Sequence, residues 1–110
     1  MEQSSKTLTF VVPAYNMETY LERCVESLLS ATDNSDIEVL IVDDGSSDST
    51  PELADMYERR WPGNVRAIHQ VNKGHGGAVN TGIANATGMY VKVVDADDWV
   101  DMPSIDTLMG

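Results

Sequence analysis

The chain has 110 residues, the size of one small domain. With 42% hydrophobic and 23% charged residues, its composition is that of a folded protein and excludes an intrinsically disordered chain. Eighteen acidic residues outnumber seven basic ones, and the net charge of −11 argues against a nucleic-acid partner. If a chain this acidic binds a phosphate ligand, we expect it to recruit a cation to do so.

Cysteine content and apolar runs bear on where the protein is expected to be located. A single cysteine, Cys24, excludes an intrachain disulfide. The N-terminal residues lack the apolar segment of a signal peptide, and every apolar run is far shorter than the roughly 20 residues of a membrane-spanning helix. We therefore expect a cytoplasmic protein, an expectation that also suits a longer parent protein associated with the cytoplasmic face of a membrane.

The first half of the chain alternates a β-rich run with a helical pattern. Residues 8–12 are β-branched and aromatic and predict a strand that ends at Pro13. The apolar positions of residues 17–29 then recur at helical spacing, and Asn16 is the predicted N-cap of that helix. Residues 37–42 predict the second strand.

The second half repeats the alternation. Ser49 or Thr50 is the predicted N-cap of a second helix, and residues 65–71 predict a third strand. A glycine-rich segment leads into a third helix, residues 89–94 predict a fourth strand, and Pro103 starts a last helix. The third helix carries a group of apolar residues on one side: Val79, Ile83 and Ala86.

This element order predicts an α/β fold, with an open, mainly parallel sheet and helices on both faces, in a Rossmann-like arrangement. We expect residues 8–110 to form a single domain and residues 1–7 a flexible N-terminus. Ligands of such sheets bind beyond the carboxyl ends of the strands. The polar and acidic residues that stand out in this sequence follow the four predicted strands directly, so a binding site is expected at that edge.

The acidic segment at residues 95–98 is the sharpest of these features. Asp95 and Asp97 lie two positions apart after a strand, and carboxylates so placed suit a hard cation such as Mg²⁺ or Mn²⁺. The alternative is a solvated acidic turn that caps the next helix. An EF-hand loop is excluded because its central glycine and terminal glutamate are missing at the required spacing.

Two further strand ends have both a structural and a functional interpretation. The Asp43-Asp44-Gly45 segment is a turn signal, and its carboxylates can also accept hydrogen bonds from a nucleotide. A phosphate-accepting receiver domain is disfavoured, because the third strand does not end in an aspartate. Residues 72–77 are either a plain strand-to-helix connection or a phosphate cradle, although they match neither the Walker loop nor the dinucleotide fingerprint.

Four single residues can also have either a functional or a structural role. Lys73 can meet a phosphate as a point charge, whereas a lone loop histidine such as His75 is usually only solvated. His69 lies inside a predicted strand, and Cys24 lies on the apolar stripe of a helix. We expect structural roles for both, Cys24 as a buried core thiol.

Taken together, the strand ends resemble those of family 2 glycosyltransferases, whose nucleotide-sugar-binding half has the GT-A fold. The matching segments are VVPAYNMETYLERCVESLL, IEVLIVDDGSSDST and NKGHGGAVNTGIANATGMYVKVVDADDWVD. In this order and spacing they cover the chain from about Leu8 to Asp101. One departure is Val79, because many relatives have an arginine before the asparagine that follows.

The resemblance implies a set of nucleotide-binding residues: Pro13, Ala14, Tyr15, Glu18, Asp43, Asn72, Lys73, Gly74, Asp95 and Ala96. The first three flank the base, Asp43 accepts a hydrogen bond from it, and Asp44 has no clear role. Asp95 and Asp97 match the DxD motif of the family. The implied cofactor is Mn²⁺ or Mg²⁺ on the donor diphosphate, ligated by Asp97, with Asp95 near the ribose or the metal.

The implied reaction moves a sugar, with inversion, from a nucleotide-diphosphate donor to an acceptor hydroxyl. A UDP-sugar is the expected donor, and a glycan or lipid-linked saccharide is the expected acceptor of the parent protein. Relatives continue beyond the segment that corresponds to this chain, so the catalytic base is expected beyond Gly110 and the chain alone is expected to be inactive. The alternative is a non-catalytic nucleotide-binding module, or an assembly module that self-associates through an exposed face.

Overall fold

The computed structural model describes residues 6–31 and 36–95. Strands and helices alternate throughout these residues. The elements are β1 (Lys6–Ala14), α1 (Leu21–Ala31), β2 (Ile37–Asp44), α2 (Thr50–Arg60), β3 (Val65–Gln70), α3 (Gly74–Asn85) and β4 (Gly88–Val93). Lys6 and Thr7, assigned above to a flexible N-terminus, belong to β1. The helix predicted from Pro103 lies outside the described residues.

The described strands form one parallel sheet in the order β3-β2-β1-β4. In the middle of the sheet, Val11 pairs with Leu40 of β2 on one side and with Val93 of β4 on the other. The chain moves outward from β1 to β3 and then crosses back to place β4 beyond β1. The predicted open parallel α/β sheet is confirmed, and its strand order reverses between β1 and β4.

The two faces of the sheet are covered by different helices. Helices α1 and α2 pack on one face, where the cluster includes Phe10, Leu28 and Tyr57. Helix α3 packs on the other face, against Val11 and Leu40. Strand β2 is buried along its whole length because both of its faces are covered. No helix within the described residues is long and apolar enough to cross a membrane.

Helix α3 packs on the sheet through small residues, and the apolar side seen in its sequence is not the side that is most buried. Its buried residues are Ala78 and Gly82, whereas Ile83 is exposed and Val79 is only half-buried. A Cβ atom added to Gly82 would overlap the Val11 side chain. The helix therefore lies so close to β1 that bulkier residues do not fit between them.

Helix α1 begins later than its predicted cap. Residues 18–20 form a turn, and α1 starts at Leu21, five residues after Asn16. Asn16 has a positive φ of 53° and accepts a hydrogen bond from the Ser47 N–H (2.8 Å) instead of capping α1. Ser49, one of the two predicted N-caps, occupies the N-cap position of α2, but its side chain makes no capping hydrogen bond there. Cys24 is a fully buried core residue, also as predicted.

A polar network closes the amino edge of the sheet around Glu38. The Glu38 carboxylate accepts hydrogen bonds from the Thr9 hydroxyl (2.9 Å), from the backbone N–H and hydroxyl of Thr87 (3.1 and 3.0 Å), and from Arg66 (2.7 Å). The Thr9 hydroxyl in turn accepts from the Gly88 N–H (2.8 Å). Burial raises the pKa of Glu38, but these hydrogen bonds outweigh it and hold the pKa below its ordinary value. The network joins β1, β2 and β3 to the connection before β4.

Candidate functional site

A cleft of about 350 Å³ opens at the carboxyl edge of the sheet. It lies where the strand order reverses, which is where open α/β sheets bind their ligands. The ends of β1 and β2, the start of α3 and the residue after Val94 all contribute to it. The lining residues are Pro13, Ala14, Tyr15, Met17, Asp44, Asn72, Gly74, His75, Ala78 and Asp95.

The cleft brings together most of the residues that the resemblance implies for the nucleotide. Those in its lining are Pro13, Ala14, Tyr15, Asn72, Gly74 and Asp95. Glu18, Asp43 and Lys73 are described but are not among the lining residues. Ala96 and Asp97 lie outside the described residues.

Asp44 is the β2 carboxylate that lines the cleft, and it also holds the loop before α3. Its Oδ1 accepts from the Gln70 side chain (2.9 Å) and the Lys73 N–H (2.8 Å), and its Oδ2 accepts from the Gly74 N–H (3.0 Å). Burial raises the pKa of Asp44, but these hydrogen bonds and the Lys73 charge outweigh it and leave the pKa below its ordinary value. Residues 72–77 were predicted to be either a phosphate cradle or a plain strand-to-helix connection, and two N–H groups of this segment, those of Lys73 and Gly74, donate to the protein's own carboxylate.

Asp43 points to the opposite face of the sheet from Asp44, because successive side chains of a strand alternate. Its Oδ1 accepts from the Ser46 N–H (3.0 Å), and its Oδ2 lies 2.8 Å from His69 Nδ1. His69 Nε2 lies 2.7 Å from Asp55 Oδ1 on α2. The hydrogen bond to Asp43, followed by the one to Asp55, raises the pKa of His69. This chain of contacts joins β2, β3 and α2, in keeping with the structural role expected for His69.

Glu18 lies outside the cleft and stabilises the loop after β1, which forms part of the cleft lining. Its carboxylate accepts from the Ser49 N–H (2.8 Å) at the start of α2, and its own N–H donates to Asp48 (3.2 Å). The Met17 N–H donates to the Thr50 hydroxyl (2.8 Å). The loop after β1 is thus attached to the loop after β2 by reciprocal hydrogen bonds, which fix Tyr15 and Met17 beside the cleft.

Two residues at the mouth of the cleft contact each other. His75, the second residue of α3, places its Nε2 2.8 Å from Asp95 Oδ1. Both side chains are open to solvent, with 65% of His75 and 50% of Asp95 exposed. Sequence reasoning gave His75 little weight as a lone loop histidine. The sequence feature that could have placed His75 in the cleft is its position directly after Gly74, where a helix begins at the end of a strand.

Asp95 has the chemistry expected of a cation ligand. It offers carboxylate oxygens, the donors that Mg²⁺ and Mn²⁺ prefer, and it stands half-exposed at the edge of the cleft. Within residues 6–31 and 36–95, no group of three or more His, Cys, Asp or Glu side chains could hold a metal ion. Asp97, the cation ligand that the resemblance implies, lies outside those ranges.

Comparison with known proteins decides the family. The sequence profile of Glycosyl transferase family 2 matches residues 9–109. The chain belongs to glycosyl transferase family 2. Among its relatives, the uncharacterized glycosyltransferase EpsJ of Bacillus subtilis is 45% identical over 93 residues, 84% of this chain and 26% of that protein. The uncharacterized glycosyltransferase YibD of Escherichia coli is 41% identical over 109 residues, 99% of this chain and 31% of that protein.

Solved structures of nucleotide-bound transferases share the fold. S. aureus TarS in complex with UDP superimposes with a TM-score of 0.80 at 28% identity, over 94% of this chain and 31% of that one. The mannosyltransferase PcManGT of Pyrobaculum calidifontis, in complex with GDP-Man and Mn²⁺, gives 0.79 at 28% identity, over 96% of this chain and 31% of that one. The chain thus spans about a third or less of the proteins it matches, and it corresponds to an N-terminal portion with the GT-A fold.

Proposed function

We propose that this chain is the donor-binding portion of an inverting glycosyltransferase. The donor is a nucleoside-diphosphate sugar, with UDP as its nucleotide, and the acceptor is a hydroxyl of a glycan or lipid-linked saccharide. The catalytic base belongs to sequence beyond this chain, so the chain alone binds the donor without transferring the sugar. The parent protein acts in the cytoplasm or at the cytoplasmic face of a membrane.

The cleft is the observation that carries this proposal. It gathers the residues after β1, β2, β3 and β4 at the point where the strand order reverses, in a chain of family 2. UDP and GDP-Man, the ligands of the two related structures, both contain a nucleoside diphosphate. Their shared chemistry, a flat base joined through ribose to a charged diphosphate, suits a cleft that is lined both by apolar and aromatic residues and by polar groups.

Each side of the cleft has its own part in holding the donor. Pro13, Ala14 and Tyr15 form the wall against which the base packs. Asp44 faces the cleft directly, and we assign it a hydrogen bond to the nucleotide. Asp43, the acceptor implied by the resemblance, is buried on the opposite face of β2. It stabilises the turn after β2 by accepting a hydrogen bond from the Ser46 N–H.

A bound cation neutralises the charge that a diphosphate leaving group develops. Asp95 and Asp97 are the residues that would hold it, Asp95 because of its place at the cleft and Asp97 because of its spacing from Asp95. The remaining lining residues orient the donor. Asn72 and Gly74 border the phosphates, at the loop that Asp44 keeps in position.

Calorimetric titration of UDP tests the proposal. We expect saturable binding in the presence of Mn²⁺ and its loss when a chelator is added. Asp97→Ala should weaken Mn²⁺-dependent UDP binding at least about tenfold, because a carboxylate ligand is removed from a site with few others. Circular dichroism should show an unchanged fold.

Glu52→Gln is the matched control, because Glu52 is an exposed acid on α2 outside the cleft. This variant loses one negative charge, as Asp97→Ala does, and should bind UDP like the unsubstituted chain. If Asp97→Ala and the control bind UDP equally well, the assignment of the cation ligands fails. If the folded, unsubstituted chain binds no UDP at all, donor binding by this chain fails.

A second candidate function is self-association, and the apolar surface of β4 favours it. Met89, Tyr90 and Val91 are exposed on this strand, which is an edge of the described sheet. Exposed apolar strands at a sheet edge are pairing surfaces. Sedimentation at several concentrations tests this candidate: a rise in mass without any response to UDP and Mn²⁺ would favour assembly over donor binding.

A further inference from the structure

Asn16 has a backbone conformation that residues with side chains adopt rarely. Its φ of 53° lies in the left-handed region, and among the described residues it is the one non-glycine residue with a positive φ. Asparagine tolerates this region better than most residues do, but the conformation still has an energetic cost and persists only where the surrounding structure holds it. Asn16 directly follows Tyr15, which lines the cleft, so this unusual conformation lies beside the candidate site.

Two contacts with the loop after β2 hold Asn16 in this conformation. Its N–H donates to the Ser46 hydroxyl (3.0 Å), and its side-chain oxygen Oδ1 accepts from the Ser47 N–H (2.8 Å). The Ser47 hydroxyl lies 3.3 Å from the same oxygen. Helix α1 begins only at Leu21, so the bend at Asn16 is set by the neighbouring loop and not by a helix of its own.

The direction of the Tyr15 side chain depends on this bend. Tyr15 is 48% exposed, so packing against its neighbours restrains it only in part. On its N-terminal side the backbone is fixed by the sheet, because Ala14 is the last residue of β1 and pairs with Asp43 of β2. On its C-terminal side the backbone is fixed by Asn16. These two fixed points orient the Tyr15 ring at the cleft.

We propose that Asn16 is a positioning residue for the nucleotide base, because its left-handed turn, held by Ser46 and Ser47, directs Tyr15 to the wall against which the base packs. This inference rests on the proposed function and deepens it, since it names the contacts that prepare the base-binding wall. Asn16 is not among the cleft-lining residues, so it acts through Tyr15 and not on the ligand itself.

Binding of UDP and of uridine, measured by NMR with Mg²⁺ present, tests the inference. Alanine disfavours the left-handed region and has no acceptor for the Ser47 N–H, so Asn16→Ala should weaken binding of both ligands at least about fivefold. The factor should be the same for both, because only the base contact is altered. Asn16→Asp keeps an oxygen acceptor and tolerates the left-handed region, so it should bind uridine, which is uncharged, nearly as well as the unsubstituted chain.

A double-mutant cycle with Tyr15 separates positioning from a general structural role. In a Tyr15→Leu background the ring that Asn16 positions is absent, so adding Asn16→Ala should change the UDP affinity by less than about twofold. Ser46→Ala removes the acceptor of the Asn16 N–H and should weaken both ligands as Asn16→Ala does; it takes the place of Asn16→Ala in the cycle if that variant does not fold. Ser49→Ala is its matched control and should leave both affinities unchanged, because the Ser49 side chain makes no capping hydrogen bond and lies outside the cleft.

The outcomes distinguish failure of the inference from failure of the proposed function. If the unsubstituted chain binds no UDP, the proposed function fails and the inference fails with it. If the chain binds UDP and the Asn16→Ala and Ser46→Ala variants bind it equally well, the inference alone is overturned. An equal effect of Asn16→Ala with and without the Tyr15 ring, or a greater loss for UDP than for uridine, also overturns it, because Asn16 would then support the whole site instead of the base contact.

Discussion

Each of the two edges of the sheet holds a buried carboxylate that accepts several hydrogen bonds. The two carboxylates differ in their surroundings. At the amino edge, Glu38 is satisfied by Thr9, Thr87 and Arg66. At the carboxyl edge, Asp44 is satisfied by a side-chain amide and by the N–H groups of the loop before α3. In both residues hydrogen bonds outweigh burial and lower the pKa of the carboxyl group.

The difference lies in what stands beside each carboxylate. Glu38 is enclosed by strands and by the connection from α3 to β4, whereas Asp44 borders the cleft. A buried, hydrogen-bonded carboxylate with a lowered pKa is therefore not by itself a sign of a binding site in this fold. The open space next to Asp44, at the reversal of strand order, separates the functional edge from the structural one.

The largest effect is expected for Asp44→Ala. It removes the acceptor of three hydrogen bonds, including two loop N–H groups, and should lower the free energy of unfolding by about 2–3 kcal/mol. UDP binding should fall by more than about tenfold, because the cleft loses a polar contact and the anchor of its loop. Urea denaturation and calorimetry measure the two effects. Unchanged UDP affinity in this variant would place the nucleotide elsewhere.

Glu38→Ala should destabilise the fold to a similar extent without affecting the ligand. It leaves Thr9, Thr87 and Arg66 without their shared acceptor, which should cost about 2–3 kcal/mol in the free energy of unfolding. UDP affinity, measured at a temperature where the variant is folded, should match that of the unsubstituted chain. A parallel loss of UDP affinity would show that the two edges are coupled through the sheet.

The sequence predicts the sheet and the location of the site because both follow from strong local patterns. Residues 39–42 of β2 are an uninterrupted apolar run, and the acidic and glycine-rich segments lie at or directly after strand ends. Parallel strands place such segments at one edge. Alternation along β2 places Asp43 and Asp44 on opposite faces of the sheet. It does not say which of them faces the cleft: the resemblance implied Asp43 as the nucleotide contact, whereas Asp44 is the one that lines the cleft.

Other features depend on contacts that no local pattern contains. The inward face of α3 consists of Ala78 and Gly82, because the helix approaches β1 too closely for large side chains. Asn16 departs from its predicted capping role because Ser46 and Ser47, some 30 residues later, supply its hydrogen-bond partners. Long-range packing and loop-to-loop hydrogen bonds decide these positions, and they appear only in three dimensions.

The smallest effect concerns His69 on β3, which contacts a third buried carboxylate, Asp43 of β2, and also Asp55 of α2. Both ring nitrogens face carboxylates, at 2.8 Å from Asp43 and 2.7 Å from Asp55, and both contacts are satisfied only when both nitrogens carry hydrogen. The charged groups in contact with the ring are Asp43 from β2 and Asp55 from α2. The hydrogen bond to Asp43, then that to Asp55, raises the pKa of His69 above its ordinary value of 6.5.

The stabilisation that His69 provides is therefore fully present below the unfolded pKa of 6.5 and is lost as the pH rises through the higher folded pKa. Because 40% of the His69 side chain is exposed, the change should stay below about 1 kcal/mol in the free energy of unfolding. Urea denaturation from about pH 5.5 to about pH 8.5 measures it as the difference between the unsubstituted chain and His69→Gln. That difference should shrink as the pH rises, and it should shrink less in an Asp55→Asn background, where Nε2 keeps an acceptor but loses the negative charge. A difference that is constant across this range would mean that His69 holds β2, β3 and α2 together by packing alone.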